Sequence, residues 1–412
     1  MSVVDVSAVS ETGRRRALAA LGLGAFAIGT TELVIVGVLG LMADGMRVSI
    51  GTAGLLVTAY ALGISFGGPI ATALTLRLGR RLLLRLALVA FIAGNLIAVA
   101  ATAFGVLLAA RAITGALHGL FLGAASAVAT GLVPAERRGH AVSLVFGGIA
   151  VSTVLGVPLG TLVGQTLGWR ATFAGVAVLC AAALAATFLF VPNAAGSGSG
   201  GLAAQARHAF APRVLAMLGA GVLLMAAQFT ALTYLTPLLE DVTGIPGGAV
   251  SAFLLIFGVT SAIGTFAGGR LADRNASGTL LVGNVVLVLA LGGLYLSGPH
   301  PLLVAVALAA WGLVGMGITP SLQLRVISLA GEGGDLAATL GASAVNAGIA
   351  SGAAIGAGTV AAYGLAHVPL AAVVVSAVAL PATWATRWLR VPATVVGSGE
   401  TAPGNVVTNT GG

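Results

Sequence analysis

The sequence contains no lysine, one cysteine and few charged side chains of any kind, which together are 7% of its 412 residues. An ordinary soluble domain carries about 25% charged residues, so this chain cannot cover itself with a water-compatible surface. Hydrophobic residues make up 58% of the sequence, and the mean hydropathy is +1.08. The lone Cys180 can form no intramolecular disulfide, and we interpret it as a small buried apolar residue. These features predict a chain that lies mostly in lipid.

Twelve apolar stretches reach the length of roughly 20 residues that a helix needs to cross a bilayer. We therefore expect an all-α integral membrane protein with twelve transmembrane helices in two pseudo-symmetric six-helix bundles. The predicted spans are 18–42, 50–76, 82–102, 104–132, 141–164, 171–191, 214–239, 248–269, 279–297, 301–324, 337–364 and 368–389.

A Gly/Ser-rich stretch at 195–201 divides the twelve spans into two equal groups, and its composition is typical of a flexible linker. We predict an N-terminal tail at 1–17, a first bundle at 18–191, a linker at 192–213, a second bundle at 214–390 and a C-terminal tail at 391–412.

The formal net charge of +8 comes entirely from arginine. If the N-terminus is cytoplasmic, sixteen arginines fall in cytoplasmic loops and tails, and only Arg47 and Arg170 fall on the opposite side. This asymmetry predicts a multi-pass protein with both termini in the cytoplasm. It also accounts for the basic charge through topology and anionic membrane lipid, so we expect no nucleic-acid partner.

Two loops at matching places in the two halves share a pattern. The candidate gating residues in them are Arg77, Gly79, Arg80 and Arg81 after span 2, and Gly269, Asp273 and Arg274 after span 8. This pair resembles the G-x-L-a-D-r-x-G-r-r pattern of the major facilitator superfamily. The first copy has Thr72 and Leu76 where the pattern has Gly and Asp. Topology-setting charge is the alternative interpretation of both loops.

Two further motifs carry the same resemblance. Arg111 and Gly115 in span 4 look like the family's R-x-x-x-G pattern. The alternative for Arg111 is a buried structural anchor that hydrogen-bonds to backbone carbonyls. Span 5 is similar to the glycine-and-proline motif of the antiporters, which implies a tight seam between the halves; its residues are Gly148, Gly156, Pro158 and Gly160. Ordinary Gly/Pro enrichment of membrane helices is the alternative.

The resemblance is closest to the twelve-helix drug:proton antiporter branch, in particular to bacterial chloramphenicol-resistance and arabinose-efflux permeases. It implies a proton-coupled exporter of small amphipathic molecules that works by alternating access. It also implies a bacterial plasma-membrane monomer driven by the proton gradient, with no cofactor. A proton-coupled sugar or nucleoside transporter remains the alternative.

Glu32 is the only acidic residue inside a predicted span, and an intramembrane charge is a functional hypothesis by default. We predict Glu32, Arg111 and His118 as proton-coupling residues. Counted at ~1.5 Å per residue, Glu32 and Arg111 lie ~15 Å and ~10 Å from the outer ends of their spans. His118 follows Arg111 by two helical turns on roughly the same face. A structural polar contact is the alternative for Glu32, and simple packing for His118.

The predicted substrate cavity lies between the halves near the midplane. Besides Glu32, its candidate residues are neutral: Thr30, Thr31, Tyr60, Gln228, Thr230, Tyr234 and Asn346. Each could instead form a helix–helix hydrogen bond. We find no metal-ligand spacing, phosphate-binding loop or supported nucleophile–base pair, so we expect neither an enzyme nor a metal site.

Overall fold

The computed structural model describes residues 10–75, 78–134, 137–192 and 207–392. Within these ranges the secondary structure is helical, and we number the membrane helices α1 to α12. Their bounds are as follows: α1 Glu11–Met46; α2 Ile50–Leu62, Gly63–Gly67 and Gly68–Leu74; α3 Arg80–Ala100; α4 Phe104–Gly131; α5 Arg138–Val151, Ser152–Gly156 and Val157–Leu167; α6 Trp169–Phe190; α7 Pro212–Leu232, Leu235–Pro237 and Leu238–Val242; α8 and α9 the two arms of Gly247–Ser297; α10 Pro301–Gly317 and Thr319–Ala330; α11 Gly334–Tyr363; α12 Val368–Thr386.

Eleven of the described helices are long and apolar enough to cross a membrane. The longest, Gly247–Ser297, has 51 residues and contains non-helical backbone at Asn275 (φ −157°, ψ 82°), where it kinks. Its two arms are two spans, which confirms the predicted twelve. The helix α1 begins at Glu11 rather than residue 18, because the hydroxyl of Ser10 caps it by accepting a hydrogen bond from Gly13 N at 3.1 Å.

Prolines explain two irregular places in the first bundle. A π turn at Gly63–Gly67 in α2 and another at Ser152–Gly156 in α5 each end two residues before a proline, Pro69 and Pro158. Proline has no backbone N–H, so it interrupts the regular hydrogen-bond ladder of a helix. The two bends lie in helices that also contact the second bundle.

Glycines of α5 hold this helix against α1 within the first bundle. A Cβ at Gly156 would overlap the Thr30 hydroxyl, and one at Gly160 would overlap Val34. Gly148 lies directly on the backbone of α1 at Gly22. The sequence suggested a seam between the halves on this helix; the structure places these three glycines against α1 instead, and the seam stays a prediction. Their spacing of eight and four residues directs all three to one helix face, and that face meets α1.

The two bundles meet along α2 and α11 at seven-residue intervals. The Thr58 hydroxyl donates to Ala350 O at 3.3 Å, and the Ser65 hydroxyl donates to Ser343 O at 2.8 Å. Seven residues earlier in α2, Gly51 packs on the backbone of Ala357. We call the side on which α1 begins and α12 ends the terminal side, and the opposite side the far side. These contacts run from the far side to just past the middle.

Arginines near helix ends bind the last carbonyl groups of neighbouring helices. On the terminal side Arg81 donates to Phe188 O at 2.7 Å, and Arg213 donates to Leu329 O at 2.7 Å. On the far side Arg170 donates to Ala101 O at 2.9 Å. A cation at the carboxyl end of a helix satisfies free carbonyls and complements the helix dipole. Several loop arginines therefore fasten helices together in addition to any role in topology.

Candidate functional site

The guanidinium of Arg111 is buried in the first bundle and binds the backbone of α1. Its side chain is 3% exposed. Nη1 donates to Thr31 O at 2.7 Å, Nη2 donates to Glu32 O at 3.3 Å, and Nε donates to Leu56 O at 3.5 Å. The ion pairs of the described residues do not include one between Arg111 and the Glu32 carboxylate. The cation therefore fixes the main chain that carries Glu32 rather than pairing with the acid directly.

Two adjacent threonines of α1 lie next to the α1 carbonyls that Arg111 binds. The hydroxyls of Thr30 and Thr31 donate to Phe26 O at 2.8 Å and to Ala27 O at 3.0 Å, one turn earlier in the helix. Such bonds satisfy the hydroxyls inside an apolar helix and locally bend it. Both threonines are buried. As substrate contacts they stay predictions, because the structure places them in helix packing.

Tyr60 of α2 lies between the cation and the imidazole. Its ring is 4.0 Å from Arg111 Cζ, a cation–π contact, and its hydroxyl lies 3.1 Å from His118 Nδ1. Gly115 makes this arrangement possible, because a Cβ there would overlap the Tyr60 carbonyl. The R-x-x-x-G pattern thus has a physical reason: the glycine one turn after the arginine lets α4 approach the backbone of α2.

The acid, the imidazole and the phenol converge on one nitrogen. His118 Nδ1 lies 3.6 Å from Glu32 Oε2 and 3.1 Å from the Tyr60 hydroxyl. The side chains of His118 and Glu32 are 3% and 16% exposed, so the carboxylate is the member of the group that solvent can reach. A proton on Nδ1 can be donated to the carboxylate, and without that proton Nδ1 can accept from the hydroxyl. The structure therefore brings Glu32, Arg111, His118 and Tyr60 together.

The second bundle contributes neutral residues. Tyr234 donates its hydroxyl to Ala353 O at 2.9 Å, and Thr230 donates to Ala226 O at 2.7 Å, so both are engaged in helix contacts. Gln228 is fully buried, and its Oε1 has no hydrogen-bond partner among the described residues. Asn346 of α11 is partly exposed and donates to Ala342 O at 3.0 Å. As substrate contacts all four stay predictions.

The predicted gating loops lie on the terminal side. Gly79 and Arg80 stand at the start of α3, and the exposed Asp273 and Arg274 stand beside the kink at Asn275. A Cβ on Gly269 would meet no other atom within 4 Å, so this glycine is not needed for close packing. Arg77 lies outside the described residues. The gating role of these loops remains a prediction.

Asn95 and Trp311 were missed by sequence reasoning. Asn95 of α3 is 2% exposed, and its Oδ1 has no hydrogen-bond partner among the described residues. Trp311 of α10 is fully buried, and its Nε1 also lacks a partner among the described residues. The signal for Asn95 was present, since it is a polar amide in the middle of an apolar span.

Cys180 is free and buried as predicted. The described residues contain no cluster of three His, Cys, Asp or Glu side chains able to hold a metal.

Twelve membrane helices in two bundles, with a buried acid–base group beside their interface, define a membrane transporter. The profile of the Major Facilitator Superfamily matches residues 21–340. The chain belongs to this superfamily, which comprises transporters and not enzymes.

Three relatives show the same membership. The chain is 37% identical to the uncharacterized MFS-type transporter YtbD of Bacillus subtilis, over 85% of this chain and 90% of that protein. It is 34% identical to the inner membrane transport protein YdhP of Escherichia coli, with 88% and 94% covered. It is 32% identical to a chloramphenicol resistance protein of Streptomyces lividans, with 82% and 88% covered.

A solved structure supports the fold. A bacterial homologue of the human lysosomal transporter Spinster, solved in an inward-facing and occupied conformation, superposes with a TM-score of 0.79 at 16% identity. The match covers 92% of this chain and 98% of that one. At this identity the likeness establishes the arrangement of helices, and it carries no statement about substrate.

Proposed function

We propose that the protein exports small amphipathic, chloramphenicol-like molecules in exchange for protons, and that Glu32 is the proton carrier. The observation that carries this proposal is the contact of one His118 nitrogen with both the Glu32 carboxylate and the Tyr60 hydroxyl, at 3.6 Å and 3.1 Å. The partly exposed carboxylate can bind a proton from solvent, and the imidazole and hydroxyl can stabilise either protonation state by changing which of them donates.

The position of Arg111 supports a coupling role for the same group. Because the guanidinium binds the carbonyls of Thr31 and Glu32, a movement of α4 against α1 changes the electrostatic surroundings of the carboxylate. Such a movement would link protonation of Glu32 to the change between inward-facing and outward-facing states. The proposed cycle exchanges protons from the outside for substrate from the cytoplasm.

The proposed direction of transport and substrate class rest on a relative and on the neutral candidate residues. The 32% identity to a chloramphenicol resistance protein favours drug export. The neutral candidates of the second bundle, including Asn346, suit uncharged or weakly cationic molecules better than phosphates or dicarboxylates. The proposed orientation has both termini in the cytoplasm, because sixteen of the nineteen arginines then face it. We further propose a monomer in a bacterial plasma membrane.

Transport by inverted membrane vesicles tests the proposal. An acidic interior should drive radiolabelled chloramphenicol into wild-type vesicles, and a protonophore should abolish this accumulation. If the substrate leaves the vesicles down the proton gradient instead, the protein is a symporter, and a panel of sugars and nucleosides becomes the next set of probes. Accumulation that is indifferent to the gradient would refute proton coupling.

The variant Glu32→Gln separates proton coupling from substrate binding. If Glu32 carries the proton, the variant loses gradient-driven accumulation but keeps substrate exchange measured without a gradient. If Glu32 binds substrate, both activities fall together. Glu11→Gln is the matched control, because Glu11 is an exposed acid of the same helix that pairs only with Arg15 among the described residues; it should behave like the wild type.

A further inference from the structure

A small cavity lies behind Arg111, on the side of the guanidinium that faces α3 and α6. It is lined by Thr31, Gly94, Asn95, Ala98, Leu107, Ala110, Arg111, Thr114 and Phe173. All of these residues are buried. The cavity has a volume of about 10 Å³, which is about the room that one water molecule needs.

The lining holds polar groups with free hydrogen-bonding capacity. Asn95 Nδ2 donates to Phe91 O at 2.7 Å, which fixes the orientation of the amide, because a carbonyl oxygen only accepts. Asn95 Oδ1 is left buried with no partner among the described residues. The hydroxyl proton of Thr114 is used by Ala110 O and Arg111 O, at 2.8 Å and 3.1 Å, so its oxygen is available as an acceptor.

Arg111 supplies the donor. A guanidinium has five N–H groups, one on Nε and two on each terminal nitrogen. The bonds to Thr31 O and Glu32 O use one N–H of each terminal nitrogen, so a second remains on each. The cavity thus combines one charged donor with two acceptors, which are the three partners that a buried water usually has.

We propose that this cavity binds a water molecule that accepts a hydrogen bond from Arg111 and donates to Asn95 Oδ1 and the Thr114 hydroxyl. The water hydrates the side of the guanidinium that faces α3 and α6, while the other side of the guanidinium binds the carbonyls of α1. Asn95 is then a positioning residue that acts on Arg111 through the water. A halide fits the site poorly, because the free amide atom is an acceptor that would repel an anion.

Two substitutions distinguish a water site from a packing gap, because the two predict opposite orders of stability. Asn95→Leu keeps the branched shape of asparagine but offers no acceptor, so it should lower the thermal midpoint in detergent and reduce transport. Asn95→Ala leaves room for a further water and should stay close to the wild type. If Asn95 only packs, the leucine variant is as stable as the wild type and the alanine variant is the weaker one; that order would overturn the proposal.

Radiolytic hydroxyl-radical footprinting of the wild-type protein tests the water directly and does not depend on a variant that folds. Bound water makes neighbouring buried side chains reactive, so Phe173 should be labelled several-fold faster than Phe121, which is equally buried and does not line the cavity. Equal labelling of the two would refute the site. Replacing chloride by gluconate should leave the thermal midpoint of the wild type unchanged, and a chloride-dependent midpoint would show that an anion occupies the cavity instead.

Discussion

The two bundles share one architecture and differ in what they bury in corresponding helices. In the first bundle α1, α2 and α4 supply Glu32, Tyr60 and Arg111. In the second, α7, α8 and α10 supply Gln228, Phe257 and Trp311. Tyr60 lies under the Arg111 guanidinium at 4.0 Å, whereas the Phe257 and Trp311 rings meet edge to face at 5.1 Å.

This difference concentrates titratable chemistry in one half of the molecule. Intramembrane charge is expensive and needs partners, and the first bundle provides them as carbonyls, an imidazole and a phenol. The second bundle instead leaves Gln228 Oε1 and Trp311 Nε1 unpaired among the described residues. A neutral group that lacks a partner costs less than an unpaired charge. The buried polar side chains described in the second bundle are thus neutral, whereas those of the first bundle include a base and a cation beside the partly buried acid.

The largest expected effect comes from removing the cation. Arg111→Met leaves the carbonyls of Thr31 and Glu32 without their charged donor and should lower the free energy of unfolding by about 3–5 kcal/mol. Unfolding in mixed micelles measures this loss. Arg170→Met is the control: it removes an arginine that also binds helix carbonyls but is only half-buried, so its loss should be about 1–2 kcal/mol. Equal losses would show that the deeper burial of Arg111 adds nothing to its contribution.

A charge placed in the second bundle tests the asymmetry from the other side. Gln228→Glu should destabilise the protein by about 2.5–3.5 kcal/mol or lower its insertion, because no cation is described next to this side chain. Gln228→Met removes the unpaired oxygen at similar volume and should be neutral or slightly stabilising. Membrane yield and thermal midpoint together measure the difference between the two variants. A well-tolerated glutamate would mean that the second bundle can hold an acid as readily as the first.

Glycines in α4 and α10 give a third test, again with unequal outcomes. A Cβ at Gly115 would overlap the backbone carbonyl of Tyr60, whereas one at Gly315 would overlap the end of the flexible Gln228 side chain. Backbone cannot move aside without separating two helices, so Gly115→Ala should cost about 1–3 kcal/mol. Gly315→Ala should cost less than about 1 kcal/mol, because the amide can change rotamer. Thermal midpoints of the two variants check the order, and a reversed order would mean that the α2–α4 contact yields more easily than the Gln228 side chain.

The sequence was sufficient to predict the fold and to single out the charged residues inside the spans. Apolar length predicts spans, and a lone Glu32 and a lone Arg111 stand out because hydrocarbon excludes charge. The sequence left two roles open for Arg111, proximity to the carboxylate or bonding to backbone carbonyls, and could not choose between them because helix rotation decides which group of Glu32 it meets. The glycines of α5 illustrate the same limit: their spacing shows that they share a face, but only packing shows that this face meets α1 and not the other bundle.

The smallest expected effect lies where the halves meet on the far side, and there the asymmetry is reversed. The second bundle supplies the acid, Glu240, whose Oε1 is 3.5 Å from Nε2 of the neutral Gln165 in α5. Burial raises the pKa of Glu240, and the charges of Asp241 and of Asp44 in α1 raise it further, whereas the hydrogen bond from Gln165 lowers it. The contact with Gln165 joins the two bundles on the far side, and the surroundings that raise the pKa of Glu240 exist while the bundles meet there. The form in which they meet, here called closed, therefore binds the proton more tightly, so lower pH should favour this closed form and rising pH should favour opening.

Spin-label distances across the far side, measured between pH 5 and 8, check this prediction. The closed fraction should change by about two- to fivefold, as expected of a partly exposed charge, and Glu240→Gln should remove most of the change that remains in a Glu32→Gln background. That background is needed because Glu32 itself is proposed to respond to protons. An unaltered pH response in the double variant would mean that Glu240 contributes nothing to the pH dependence of closure.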